Sequence, residues 1–254
     1  MSLLAVEDVA RAFGAVQAVA GVSFTVAAGE RVALIGPNGA GKSTCFNLVN
    51  GQLAPDRGRV RLAGRDVTGM RPRALARQGV GRTFQISQTF PSLTVRENVQ
   101  MALAARHGHA ARIGAPLARY APGAADAVLD QVGLAGIGDR GAGTLAYGDA
   151  KRLELAIVLA QEPRLLLMDE PTAGMAPDER HALMELVSRL VAEGRADGQG
   201  IGLLFTEHDM DVVFGHADRI VVLDRGRIIA SGDPGAVRAD PLVRQVYLGL
   251  EEGA

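Results

Sequence analysis

An α/β fold with a mostly parallel central sheet, an N-terminal antiparallel β layer and an inserted helical segment is what this sequence predicts, on three observations. Residues 31–35 are an apolar run of strand length that leads through a glycine-rich turn, 36–41, into an apolar-periodic helix beginning at Lys42. Leu165 to Met168 and Gly202 to Phe205 are unbroken apolar runs, as central parallel strands covered on both faces require. Residues 86–160 carry a mostly helical pattern, which reads as an insertion between the core segments 1–85 and 161–254. A chain of 254 residues can bury a substantial core in this layout as one domain.

The elements follow in order. Residues 3–9 and 22–26 read as strands on either side of a turn at Phe13 and Gly14, and RVRLAG at 59–64 completes the antiparallel layer. Asn50 and Gly51 stop the helix that starts at Lys42. Residues 79–84 form the next strand and deliver Gln85. Thr94 and Glu97 have the spacing of a capping box, so a helix is expected over 97–106. Residues 107–123, rich in Gly, Ala, Pro and Arg, are expected to be loop with some helix. A short amphipathic helix follows over 124–134, stopped at Gly133. The core resumes at Arg164 with LLLMDE, GLLFTEH, RIVVLDRG and RIIASG, and a helix over 178–194 closes at Gly194. The tail from Asp233 reads as helical.

Composition narrows the function classes. The formal net charge is −1, without the basic excess of an electrostatic nucleic-acid binder. Lys42 and Lys151 are the only lysines, so the lysine of the glycine-rich loop is not drawn from a lysine-rich background. The single cysteine, Cys45, forms no internal disulfide and suits core packing in a reducing compartment. The N-terminus lacks a basic stretch followed by a long apolar run, and no apolar stretch approaches the ~18 residues of a membrane span. A cytoplasmic location is expected, with membrane association only through a partner.

The chemistry centres on G-x-x-x-x-G-K-S, from Gly36 to Ser43. Such a loop turns backbone N–H groups toward nucleotide phosphates; glycines allow the close approach and the positive φ, and the helix start adds partial positive charge. Gly36, Asn38, Gly39, Ala40, Gly41, Lys42, Ser43 and Thr44 are therefore candidate phosphate-binding residues of a P-loop NTPase core. Lys42, expected to be an exposed loop lysine, reaches the β- and γ-phosphates, and the Ser43 hydroxyl ligates Mg²⁺. Asp169 and Glu170 end a buried hydrophobic run, a costly place for two carboxylates without a cation or water network. Beside a phosphate loop the first suits Mg²⁺ and the second an attacking water. Phe13 serves equally well as a base-stacking ring or as edge packing. His208 stands at a strand end, where a lone histidine is more often structural. His107, His109, His181 and His216 have no metal-ligand spacing.

These motifs, in their order, resemble the ATP-binding subunits of ABC transporters from about residue 3 to the C-terminus: GPNGAGKST, Gln85 after a strand, LAYGDAKRLELA, LLLMDEPTAGM and TEHDM. RTFQ, LAYG, TEHD and the terminal VYLG look like those of the importers of branched-chain amino acids. The resemblance implies that Phe13 stacks on adenine, Gln85 senses Mg²⁺ and the attacking water, Glu170 is the catalytic base and His208 contacts the γ-phosphate. It also implies that Ala146, Tyr147, Gly148 and Asp149 face the nucleotide of a second subunit, in a homo- or heterodimer that drives a transmembrane permease from the inner face of the cell membrane. The family's usual L-S-G-G-Q stands here as Leu145-Ala146-Tyr147-Gly148-Asp149, without the serine hydroxyl, which puts the strength of ATP hydrolysis in question. A mechanical ATPase acting on nucleic acid would call for arms, a tandem cassette or a basic excess; a metabolite kinase would have no use for LAYGD; an exporter remains the alternative transport direction.

Overall fold

The computed structural model describes residues 2–83, 89–108, 117–195 and 198–248. Two sheets build it. The first is antiparallel: β1 (Ser2–Phe13) and β2 (Val16–Ala27) form a hairpin that β4 (Arg57–Leu62) and β5 (Arg65–Asp66) extend in the order β2-β1-β4-β5. The hairpin strands are longer than the alternation of apolar residues suggested. Register breaks around Asp8, at φ 47°, and Gly21, at φ 80°, reset the in–out pattern, so each long strand looks like a shorter one in sequence.

The second sheet is the core: β3 (Arg31–Ile35), β6 (Val80–Thr83), β7 (Leu165–Asp169), β8 (Gly202–Thr206), β9 (Arg219–Asp224) and β10 (Arg227–Gly232), ordered β10-β9-β3-β8-β7-β6. All its pairings are parallel except the β9–β10 hairpin. The period of two sorts its side chains into two layers. Val32, Leu34, Leu165, Leu167, Leu204, Val221 and Leu223 face the antiparallel sheet and α1 (Lys42–Val49), around Phe46. Ala33, Ile35, Leu166, Met168, Leu203, Phe205, Ile220 and Val222 face the remaining large helices. Both faces are covered, which is why these strands read as continuous apolar runs.

Of the helices on the second face, α3 (Val95–Arg106), α4 (Pro122–Gln131) and α5 (Tyr147–Leu159) come from the inserted region, and α6 (Pro177–Glu193) from the core. The capping box of α3 forms as expected: Glu97 N donates to Thr94 Oγ1 at 3.1 Å, and Thr94 N to Glu97 Oε2 at 2.9 Å. Gly133 and Gly194, at φ 75° and 71°, stand where the sequence placed helix stops.

Two short helices escape the sequence reading. In α2 (Pro72–Arg77) only Leu75 is buried, and α7 (Met210–His216) spans barely two turns, so neither shows a periodic stripe. The tail holds two helices, α8 (Pro234–Ala239) and α9 (Pro241–Leu248). Pro241 keeps Asp240 extended at ψ 122° and breaks them apart. The carboxyl ends of β3, β7 and β8 lie side by side at one edge of the parallel sheet, where such folds place their ligands.

Candidate functional site

The turn after β3 is held in place from behind. An ideal Cβ on Gly36 would stand 2.2 Å from the Leu223 carbonyl oxygen, and one on Gly41 2.3 Å from that of Ala18. Gly226 N donates to Ala40 O at 2.9 Å, and Ala20 N donates to Gly226 O at 2.8 Å. The loop is thus wedged between β2 and the β9–β10 turn, and only glycine fits at the two contact points. Gly39 has nothing near its missing Cβ but sits at φ 80°, so there the backbone angle selects glycine.

Lys42 is 9% exposed, not an exposed loop residue as the sequence suggested. Its Nζ donates to Gly36 O at 2.6 Å and Pro37 O at 3.1 Å, so the ammonium fastens the loop on which it sits. Burial pulls its pKa below the ordinary lysine value, against the opposing influence of Glu170 and Asp169. Ser43 and Thr44 follow in the first turn of α1. The loop residues 38–44, with Val16, Gln17, Ala18, Glu170, His208 and Arg225, line a cleft of about 460 Å³.

The two carboxylates leave β7 with different partners. Asp169 Oδ1 accepts from Thr206 Oγ1 at 2.7 Å, and its Oδ2 lies 3.5 Å from Arg82 Nη2. Arg82 is a cation beside the first of the two acids, Asp169. Its guanidinium stands 5.5 Å over the Phe46 ring, and desolvation depresses its pKa. Glu170 adopts φ 49°, a left-handed conformation that costs a residue with a Cβ about 1–3 kcal/mol. Its N–H donates to Thr206 O and Thr206 Oγ1, both at 3.1 Å, and its Oε1 lies 2.9 Å from His208 Nε2. The backbone turn directs the carboxylate into the cleft, in contact with the histidine.

Glu207 was missed in the sequence, although a carboxylate ending the apolar run GLLFT carried the same signal that singled out Asp169. It is 4% exposed. Its Oε1 accepts from Thr172 N at 2.9 Å and Thr172 Oγ1 at 2.6 Å, and its Oε2 from His208 N at 3.1 Å. This one side chain ties the loop after β7 to the loop after β8, and so fixes Glu170 relative to His208.

Not every expected residue reaches the cleft. Phe13 is 46% exposed near the hairpin tip, with the Arg11 guanidinium 5.2 Å over its ring; its cross-strand partner Val16 lines the cleft in its place. Ala146, Tyr147, Gly148 and Asp149 open α5 and do not line the cleft either. Tyr147 Oη donates to Ala173 O at 2.8 Å, and Gly148 lies beside Glu179. Gln85 falls outside the described residues. Cys45 is buried in the core, where desolvation pushes its thiol up to about 12.

The donor set suits a nucleotide with a magnesium ion. Mg²⁺ commonly takes one or two protein ligands beside nucleotide phosphates. Ser43 and Asp169 could supply them, and among the described residues no cluster of three or more His, Cys, Asp or Glu forms a metal cage of its own.

Residues 19–173 match the ABC transporter family model, and residues 227–252 that of the branched-chain amino acid ATP-binding cassette transporter. The chain is 38% identical to the high-affinity branched-chain amino acid transport ATP-binding protein BraF of Pseudomonas aeruginosa, over 97% of this chain and 98% of that protein. It is 37% identical to the LivG protein of Escherichia coli K12 at the same coverage. Among solved structures it is similar to an ATP-binding cassette of an ABC transporter in its ADP conformation, with a TM-score of 0.85 and 32% identity over 98% of this chain and 100% of the other.

Proposed function

The chain belongs to the ABC transporter family and is an ATPase of that family, and from this premise we propose that it powers a permease importing branched-chain amino acids or a similar small solute. What carries the choice of solute is the match of residues 227–252, outside the general ATPase motifs, to the branched-chain cassette family, together with BraF and LivG along nearly the whole chain. No helix among the described residues is long and apolar enough to cross a membrane. We assign the path of the solute to separate permease subunits, with this chain held at the inner face of the membrane by them.

In the proposed reaction the loop N–H groups and Lys42 hold the β- and γ-phosphates. Magnesium, bound through Ser43 and Asp169, would neutralise phosphate charge. The Glu170 carboxylate takes a proton from the water that attacks the γ-phosphorus, and the bond to ADP breaks as the new P–O bond forms. His208, in contact with Glu170, orients that carboxylate and is within the same cleft as the γ-phosphate position. The start of α5 lies outside its own cleft, which supports the reading that Ala146, Tyr147, Gly148 and Asp149 cover the nucleotide of a second ATPase subunit, identical or related. Asp149 stands in the first turn of that helix.

For the permease contact we propose the loop before α3. Phe90 is 50% exposed, yet its backbone is pinned: Phe90 N donates to Asn98 Oδ1 at 2.7 Å and Asn98 Nδ2 to Phe90 O at 3.1 Å. A rigid, exposed aromatic is a suitable anchor for a partner. The test is reconstitution with the membrane proteins that co-purify with the chain. ATP-dependent uptake of leucine, isoleucine or valine into vesicles supports the reading; ATP-dependent export, or uptake of an unrelated solute alone, overturns it.

A further inference from the structure

A second cleft, of about 780 Å³ and larger than the nucleotide cleft, opens at the amino-terminal ends of β6 and β7, the edge of the sheet away from Asp169 and Glu170. Its charge is lopsided. Arg73 and Arg77 reach it from α2, Arg106 from the end of α3, Arg164 from the start of β7 and Arg195 from the chain after α6. Glu162 is its one acidic lining residue. The whole chain has 27 basic and 28 acidic residues, so five arginines against one carboxylate is not the background.

Part of the set is preorganised. Arg106 Nη1 donates to Gln161 O and Nη2 to Glu162 Oε2, both at 2.5 Å, and Arg195 Nη1 donates to Glu162 O at 2.8 Å. These bonds hold a corner where Glu162 sits at φ 48°. They consume the single carboxylate. Arg73, Arg77 and Arg164 have no ion pair among the described residues, and Arg164 is half-buried with its stem against Gly79. Like charges gathered in a concave place repel one another unless an anion joins them. Guanidinium groups match phosphate oxygens in two-point contacts.

We propose that this cleft is a second binding site, separate from the nucleotide site, for a ligand carrying two or more phosphate groups, with Arg73, Arg77 and Arg164 as the contacting residues. The same chemistry is presented by anionic phospholipid headgroups at a membrane surface and by soluble condensed phosphates, and the assay separates the two. The site does not depend on which solute the chain helps to import.

The test uses the full chain with its nucleotide cleft saturated by MgADP. Binding is measured to vesicles of phosphatidylcholine with and without cardiolipin, and to tripolyphosphate in solution. The variants are Arg73→Gln/Arg77→Gln, both exposed on a surface helix, and Arg164→Gln, with thermal unfolding of each as a folding control. The double variant should weaken binding about a hundredfold, since loss of each charge-assisted contact costs on the order of a factor of ten, and should flatten its salt dependence. Basal ATPase rate should stay as in the parent. Vesicle binding with this arginine dependence assigns the ligand to lipid, and tripolyphosphate binding with it assigns a soluble ligand. No binding to either probe, binding unchanged in folded variants, or equal binding of a polyglutamate peptide overturns the proposal.

Discussion

At the scale of single residues the decisive group is Glu170. Replacing it with glutamine keeps the shape and the φ 49° backbone but removes the carboxylate proposed above as the base. ATP turnover should fall by about 10²- to 10⁴-fold while nucleotide binding survives, because Lys42, Ser43 and Asp169 are untouched. A steady-state rate near that of the parent would remove Glu170 as the base. Lys42→Ala is a less clean substitution than the motif alone suggested. Beyond removing the proposed phosphate contact, it leaves Gly36 O and Pro37 O without their donor, so the loop itself should loosen. Nucleotide binding measured by fluorescence should be lost, and thermal unfolding should shift down slightly. The motif residues were legible because spacing fixes a loop and a helix start. Arg82, Thr206 and Glu207 were not, because what brings them to the site is a pairing between segments that lie far apart in sequence.

At the scale of elements, two carboxylates hold the loops that carry the site. Glu207→Ala removes one acceptor for three donors in a buried place. Leaving those donors unsatisfied should cost about 1–3 kcal/mol in unfolding free energy and let Glu170 drift from His208. The expected signature is a drop in kcat larger than the change in KM for ATP, with Glu207→Gln, which keeps a carbonyl acceptor, recovering part of it. Asp209 caps α7, accepting from Asp211 N at 3.0 Å and Val212 N at 3.3 Å, and pairs with Arg180 Nη1 at 2.7 Å. The Arg180 bond, followed by those backbone bonds, pulls its pKa below the usual carboxylate value. A carboxylate depressed by folding adds stability above its unfolded pKa, and this is lost as pH falls through its folded pKa. Asp209→Ala should therefore destabilise the protein at neutral pH by about 0.5–2 kcal/mol, a cap's usual worth, with the gap from the parent closing in acid. Denaturant titrations at both pH values measure it. The long helices and unbroken strands were readable from period and caps; α2 and α7 were not, since helices of six and seven residues show too little of a face.

For the whole molecule, ligand binding and assembly report on the same cleft. ATP at about a hundredfold excess over its dissociation constant should stabilise the fold by about 2.7 kcal/mol, which in a chain of this size raises Tm by roughly 5–10 °C. In the Glu170→Gln variant with ATP, light scattering should show a dimer that ADP does not support. A monomer at high protein concentration would mean that Ala146 and Asp149, standing in place of the usual signature residues, cannot hold the pair without a permease. The layered architecture was legible in sequence because unbroken apolar runs mark the sheet covered on both faces and shorter, turn-bounded runs mark the antiparallel one. The position of the phosphate loop within it was not, since its supports come from opposite ends of the chain. That wedge has a consequence for biogenesis. During translation the residues of the glycine-rich loop leave the ribosome well before Leu223 and Gly226, which back the loop. A nascent chain ending short of the β9–β10 turn carries the whole glycine-rich motif supported from β2 alone, so full competence for nucleotide is expected only once that hairpin has folded.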